Sequence, residues 1–252
     1  MLETLLSFNL SQESWALAIL CGILIGIAKT GLNGAAMLVV PILAGIFGSK
    51  PSVGLLLPML CFADIFGVSY YRRHAEWYYI IRLMPWALSG IVIGLLVGAA
   101  VNEEHFKIIL AVTVLAGIAI MIWRERKQGA TTVPKSRWFS IIMGLAGGFT
   151  TMIGNAAGPV MALYLLSMQL PKYSYIGTTA WFFMIVNLVK VPLHVIFWHT
   201  ITMRSLIFDI AMIPAIIVGA GIGITTVKNI PEQLYRKIII AMTVLAAFKL
   251  FL

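Results

Sequence analysis

The chain has 252 residues, 61% of them hydrophobic and 11% charged, with a net charge of +9 and a mean hydropathy of +0.98. A water-soluble domain carries about 25% charged residues, so this composition excludes a soluble globule and leaves an all-α polytopic membrane protein. The basic excess gathers in short loops, as the positive-inside rule requires, and nucleic acid is not expected as a partner.

The first residues, MLETLLSFNLSQES, hold acids and no basic n-region. They read as a short water-facing N-terminus and not as a secretory signal. Apolar runs follow at roughly 14–28, 34–48, 52–70, 80–101 and 105–123. The polar loop RERKQGATTVPKSR, Arg124 to Arg137, interrupts the pattern, which then recurs at roughly 138–150, 156–168, 174–197, 205–227 and 234–252. Gly22, Gly26, Asn33 and Arg82 recur at one constant offset as Gly144, Gly148, Asn155 and Arg204, and AVTVLAG from Ala111 matches AMTVLAA from Ala241. The expected organisation is a first membrane repeat over 1–123, a basic cytoplasmic connector over 124–137 and a second repeat over 138–252. Internal duplication of this kind is a feature of secondary transporters.

The first two runs of each half are short. About 15 residues make roughly 22 Å of helix, against a hydrocarbon core of about 30 Å. Each pair therefore reads as a hairpin of two short helices meeting at a polar break. Charge placement agrees: with Arg124–Arg137 in the cytoplasm, a hairpin that enters and leaves on one side also puts Arg72, Arg73, Arg82, Lys172, Lys228, Arg236 and Lys237 inside. The repeats are then inverted, each with three further transmembrane helices, and both termini lie in the periplasm.

The breaks are AKTGLNGAA, Ala28 to Ala36, and FTTMIGNAAGP, Phe149 to Pro159. Glycine releases the backbone from helix, Pro159 suits a first helical turn, and Asn33 and Asn155 are expected to cap the helices that follow. Irregular backbone at membrane depth must face protein or a water-filled cavity. New helix starts offer free N–H groups and partial positive charge, so two of them aimed at one cavity make an anion site. The candidate binding residues are Lys29, Thr30, Gly31, Asn33, Gly34, Thr150, Thr151, Gly154, Asn155 and Lys190. The competing reading of Lys29 is a snorkelling side chain, and Gly-Asn clusters often do no more than end helices.

Asp64, in CFADIFG, is the intramembrane carboxylate of the first half and aligns near Asn187. It reads either as a proton carrier or as the structural ion-pair partner of Lys29 or Lys190. His194 is a second coupling candidate, with a packed polar residue as the alternative. Lys50 is expected in an outer loop. Gly90, Gly94 and Gly98, like Gly22/Gly26 and Gly144/Gly148, are close-packing faces, more often within a chain than in a homodimer, which stays open as a partner. EWYY (Glu76–Tyr79) and FWH (Phe197–His199) read as interfacial aromatic belts, and Pro58, Pro85, Pro192 and Pro214 as kinks. Cys21 and Cys61 lack the spacing of a metal site or disulfide framework. No HExxH, GxSxG or Walker motif occurs, so neither an enzyme nor a cofactor is expected.

The segments GILIGIAKTGLNGAAMLVVPIL, GLAGGFTTMIGNAAGPVMALYLL and PKYSYIGTTAWFFMIVNLVKVPLH, with the duplicated half and the length, resemble the sulfite exporter TauE/SafE family of membrane permeases, also called TSUP. The resemblance spans essentially the whole chain. It implies transport, often export, of small sulfur oxyanions or organosulfur anions such as sulfite or a sulfonate, across the bacterial inner membrane. The alternatives are an importer or channel for another small anion, and a membrane assembly factor that transports nothing.

Overall fold

The computed structural model describes residues 8, 10–32, 36–102, 104, 105, 108, 109, 112, 137–231 and 234. Nearly all of the runs expected at 105–123 and 234–252, and of the connector, lies outside the described residues. Among those described, the ordered elements are α1 (Gln12–Thr30), α2 (Ala36–Phe47), α3 (Ser49–Tyr71), a 3-10 turn (Arg72–His74), α4 (Trp77–Ala100), α5 (Arg137–Gly154), α6 (Gly158–Ser167), α7 (Lys172–Leu193), a π turn (His194–Trp198) and α8 (Met203–Asn229). The chain is an all-α polytopic membrane protein. Among the described residues, five segments are long and apolar enough to cross a bilayer: Gln12–Thr30, Ser49–His74, Trp77–Ala100, Lys172–Trp198 and Met203–Asn229. Ile81, Leu96, Ile217 and Val218 stay exposed on the outer faces of α4 and α8, where hydrocarbon tails cover them without the cost that water would impose.

Local chemistry sets the helix ends. Ser11 caps α1, its hydroxyl accepting from the Ser14 N–H. Thr202 and Ser205 form a reciprocal capping box at the start of α8. Gly48 lies between α2 and α3 with a φ of 87°, a left-handed backbone that glycine adopts without a Cβ penalty.

Small residues decide which helices meet. Gly22 meets Ala215, Gly26 meets Gly219 and Gly223 meets Thr30, so α1 and α8 run in the same direction at close range. Gly144 meets Trp86, Gly148 meets Ala87 and Ile91, and Gly94 meets Met152, so α5 and α4 are parallel as well. A Cβ at Gly26 would collide with the Ile216 carbonyl, and one at Gly148 with the Ala87 carbonyl. In lipid no hydrophobic force drives helices together, so this backbone proximity supplies the dispersion contact that does. The glycine faces are thus intramolecular. They also correct one match made on sequence: Gly90 and Gly219 hold equivalent places against Gly148 and Gly26, which leaves Arg82 and Arg204 at different positions. The constant offset of the first helices does not extend to the later ones.

Contacts along the helices fix chain direction. Lys172 donates to the Val227 and Ile230 carbonyls, and Gly31 packs on Val227, which places the ends of α1 and α8 beside the start of α7. At the opposite end Lys50 donates to the Gly98 carbonyl and the Phe47 ring lies 5.3 Å from that of Phe208. Helix α2 therefore returns toward the Lys50 end, where α1 began. Helix α6 does the same at the Lys172 end, because its Tyr164 ring stacks 5.8 Å from Phe139 near the start of α5. The first members of these hairpins are longer than expected, 19 residues in α1 and 18 in α5. Helical hydrogen bonding carries through Lys29-Thr30 and through Thr150 to Gly154 before it stops.

Candidate functional site

The two interruptions have different endings. Helix α1 stops at Gly31, whose N–H bonds back to the Ile27 carbonyl, as does that of Leu32 at 3.1 Å. Helix α5 stops because Asn155 turns left-handed, with a φ of 53°. Its N–H reaches the Thr151 carbonyl at 3.0 Å, and the Ala156 N–H reaches that of Thr150 at 3.2 Å. Asparagine is among the few residues that tolerate this conformation. Asn155 therefore ends α5 and does not cap α6, as the sequence had suggested: the N-cap of α6 is Ala157, with Pro159 in the first turn. Asn33 and Gly34 lie outside the described residues.

Both breaks open on one cavity of about 30 Å³, enough for two or three water-sized groups. Ala36 and Gly158, the first residues of α2 and α6, both line it, with Lys29, Thr151, Asn155 and Asn187, while Leu60 and Phe183 supply apolar wall. Two helix N-termini, with their unsatisfied N–H groups, thus meet at the same small space.

Around this space lie the intramembrane charges. The Lys29 ammonium is 2.8 Å from Asp64 Oδ1 and 4.4 Å above the centre of the Phe183 ring. The second Asp64 oxygen accepts from the Asn187 amide at 2.7 Å. Of the two partners the sequence left open for Asp64, the structure places Lys29 in contact. Lys190 is fully buried. Its three N–H groups donate to Thr151 Oγ1 at 3.0 Å, Asn155 Oδ1 at 2.5 Å and Asn187 Oδ1 at 3.2 Å. All three acceptors are neutral. Asn155 is held from the other side, its amide donating to the Val53 carbonyl at 3.1 Å. Side chains from α1, α3, α5 and α7 thus form one hydrogen-bonded cluster, of the kind in which each member orients the next.

The remaining candidates are elsewhere. The Thr30 hydroxyl donates to the Gly26 carbonyl at 2.8 Å and lies 3.1 Å from that of Ala220, so it serves the α1–α8 contact. The Thr150 hydroxyl donates to the Gly147 carbonyl at 3.1 Å, within its own helix. Hydroxyls on apolar helices commonly bond back in this way, and neither donor faces the cavity. Gly31 packs on Val227 and Gly154 closes α5; neither lines the cavity. His194 is buried one turn beyond Lys190, its Nδ1 at 2.8 Å from the Thr200 hydroxyl and its ring edge-on to Trp198. It stands apart from the cavity, next to a second one of about 430 Å³ at the Lys50 end, which Lys50, Trp198, Thr200 and Arg204 line. Lys50 belongs to the first turn of α3 and not to a loop. Trp198 is buried, with its indole N–H on the Leu95 carbonyl, and so leaves the aromatic belt to Phe197.

Sequence reasoning missed Asn187 and Phe183 as members of the site. Asn187 precedes Lys190 by one helical turn and occupies the place of Asp64 in the second half, which was the available signal. Phe183 is one turn earlier still on the same face, and in an apolar run nothing distinguishes it. Asp209, a second buried carboxylate, was also passed over. It lies on α8 and does not line the cavity.

Comparison with known proteins bears on the same residues. No curated protein and no solved structure matches the chain. The model of the family described as sulfite exporter TauE/SafE matches residues 18–250, which takes in both breaks and every charged member of the cluster. The chain belongs to the sulfite exporter TauE/SafE family.

Proposed function

We propose that the chain is a secondary transporter, working as an exporter, of a small sulfur-containing anion such as sulfite or a sulfonate. The anion binds in the cavity between the two helix breaks. The observation that carries this reading is a surplus of buried positive charge beside two helix N-termini: Lys29 is matched by Asp64, while Lys190 has only neutral oxygens around it. An uncompensated buried ammonium is costly, and an anion drawn into the cavity compensates it. The roles divide between the lysines. Lys190, with all three donors engaged, supplies charge and holds Thr151, Asn155 and Asn187 in place. Lys29 lines the cavity and has donors left after its contact with Asp64, so it reaches the anion directly. Thr151, Asn187 and the N–H groups at Ala36 and Gly158 complete the shell.

Chain direction supports an inverted repeat. Helices α1 and α3 run from the Lys50 end and α4 returns; α5 and α7 run from the Lys172 end and α8 returns. The basic residues Arg72, Arg73, Arg82, Arg137, Lys172 and Lys228 gather at the Lys172 end, which the positive-inside rule assigns to the cytoplasm of the bacterial inner membrane. The cavity at the Lys50 end is then the periplasmic vestibule, and rocking of one repeat against the other exposes the central site to either side. A membrane potential negative inside favours outward movement of an anion by about 2.3 kcal/mol per charge per 100 mV, so export of a monoanion needs no coupling ion.

The test is flux. Purified protein in liposomes loaded with sulfite is given a potential of either sign, and efflux is followed. The proposal expects saturable efflux that an inside-negative potential accelerates and that Lys190→Met shifts to much higher sulfite concentration. Absence of flux from well-folded protein for sulfite and methanesulfonate alike would favour the assembly-factor reading.

A further inference from the structure

The charge of the central cavity is the sum of three buried side chains on three helices. Lys29 and Asp64 form an ion pair at 2.8 Å, and Lys190 donates to neutral oxygens alone. Among the described residues Lys29 is the one charged side chain that lines this cavity; Asp64 and Lys190 stand directly behind the lining, in contact with Lys29, Thr151, Asn155 and Asn187. Glu13, Glu76 and Glu104 are exposed, and the buried Asp209 belongs to α8. The cavity therefore holds one positive charge beyond those that cancel.

The repeat shows how this number arises. Asp64 and Asn187 hold equivalent positions on α3 and α7 and touch each other at 2.7 Å. An aspartate at one and an asparagine at the other gives one carboxylate to two lysines. The Asn187 carboxamide bridges them: its N–H₂ faces the anionic Asp64 and its oxygen faces the cationic Lys190. Asp64 is thus held by the ammonium of Lys29 on one oxygen and by a fixed amide on the other, so within this cluster the carboxylate offsets the Lys29 charge.

We propose, resting on the anion-site reading above, that Asp64 determines the charge of the anion accepted: the cavity takes sulfur oxyanions of charge minus one and discriminates against dianions of the same shape. A monoanion makes the buried ensemble neutral. A dianion leaves a surplus negative charge in a medium that solvates it poorly, which is strongly unfavourable. Hydrogen-bond geometry alone gives no such discrimination, because two tetrahedral oxyanions present nearly the same oxygens. Specificity here is a charge mismatch built against the wrong ligand.

The test separates charge from shape with sulfamate and sulfate, tetrahedral anions of similar size that carry one and two charges at neutral pH. Binding of each to the purified full-length protein is measured by calorimetry. Wild type binds sulfamate in preference to sulfate. Asp64→Asn keeps the side-chain outline, releases Lys29 and shifts the ratio toward sulfate by about tenfold or more, equal to about 1.4 kcal/mol. The double variant Lys29→Met/Asp64→Asn removes both members of the pair and leaves one surplus charge; it binds both anions more weakly, because Lys29 no longer reaches them, but returns the wild-type preference between them. An unchanged ratio in Asp64→Asn, or a wild-type preference for sulfate, overturns the proposal while leaving the anion site standing. Should Asp64→Asn fail to fold, the wild-type ratio and the double variant decide, and sulfate preference in either overturns the proposal. A wild-type protein that binds neither anion overturns the site reading and the charge rule together.

Discussion

Replacing Lys190 by methionine removes one charge and little volume, and its two consequences separate cleanly. The first is on stability. Thr151, Asn155 and Asn187 each lose a donor, at about 1–3 kcal/mol for each oxygen left unsatisfied. Against this, a fully buried ammonium disappears, which relieves several kcal/mol of desolvation. The two oppose, so the melting temperature should move only modestly. The second consequence is on binding. Lys190 lies 3.0 Å from Thr151 Oγ1; a further hydrogen bond from that hydroxyl to an anion would put the ligand's charge about 7 Å from the ammonium, where at an effective dielectric of about 20 the attraction is about 2.4 kcal/mol. Affinity should therefore fall roughly 50-fold. Calorimetric titration with methanesulfonate measures it, with a thermal melt of the same sample. Arg73→Gln, a charge removed from an exposed turn far from the cavity, is the control. An affinity loss in Lys190→Met no larger than in Arg73→Gln would refute the reasoning, because the surplus charge would then contribute nothing to the ligand.

Two further outcomes follow from the packing and the break. Gly26→Ala drives a methyl into the Ile216 carbonyl and should destabilise by about 1–3 kcal/mol or more, whereas Gly221→Ala meets nothing within 4 Å and should gain up to about 1 kcal/mol from helix propensity; melting in detergent distinguishes them. Asn155→Gly keeps the left-handed turn but loses the bonds to Val53 and Lys190, so anion affinity should fall while stability drops less than in Asn155→Ala, which adds about 1–2 kcal/mol of backbone strain. Comparing melts and titrations of the two variants checks this, and equal stability would remove the strain argument.

Much of this arrangement was legible in the sequence because membranes penalise exceptions. Lys29, Asp64 and Lys190 stood out as charges in apolar runs, glycine and asparagine marked both breaks, and Pro159 marked the second. The four-residue glycine spacing predicted close helix contact. What stayed hidden depends on rotamer and register. A threonine in a helix either points its hydroxyl into a cavity or returns it to its own turn, and Thr30 and Thr150 took the second course. Asparagine before a helix is consistent with a cap for the next element or a left-handed stop for the last, and Asn155 is the stop. Arg82 and Arg204 matched at an offset that holds for the first helices, but the packing partners of α8 sit at a longer one. Asn187 looks ordinary until its neighbours Asp64 and Lys190 are placed around it.

The central claim is a location: one anion held between the starts of α2 and α6. Selenite, a heavier analogue of sulfite, tests it most directly through anomalous diffraction from crystals of the complex. The account predicts a single strong peak in the central cavity, within hydrogen-bond reach of Lys29 and of the backbone N–H groups at Ala36 and Gly158. A peak confined to the cavity that Lys50 and Arg204 line, with the central site unoccupied at saturating selenite, would contradict it.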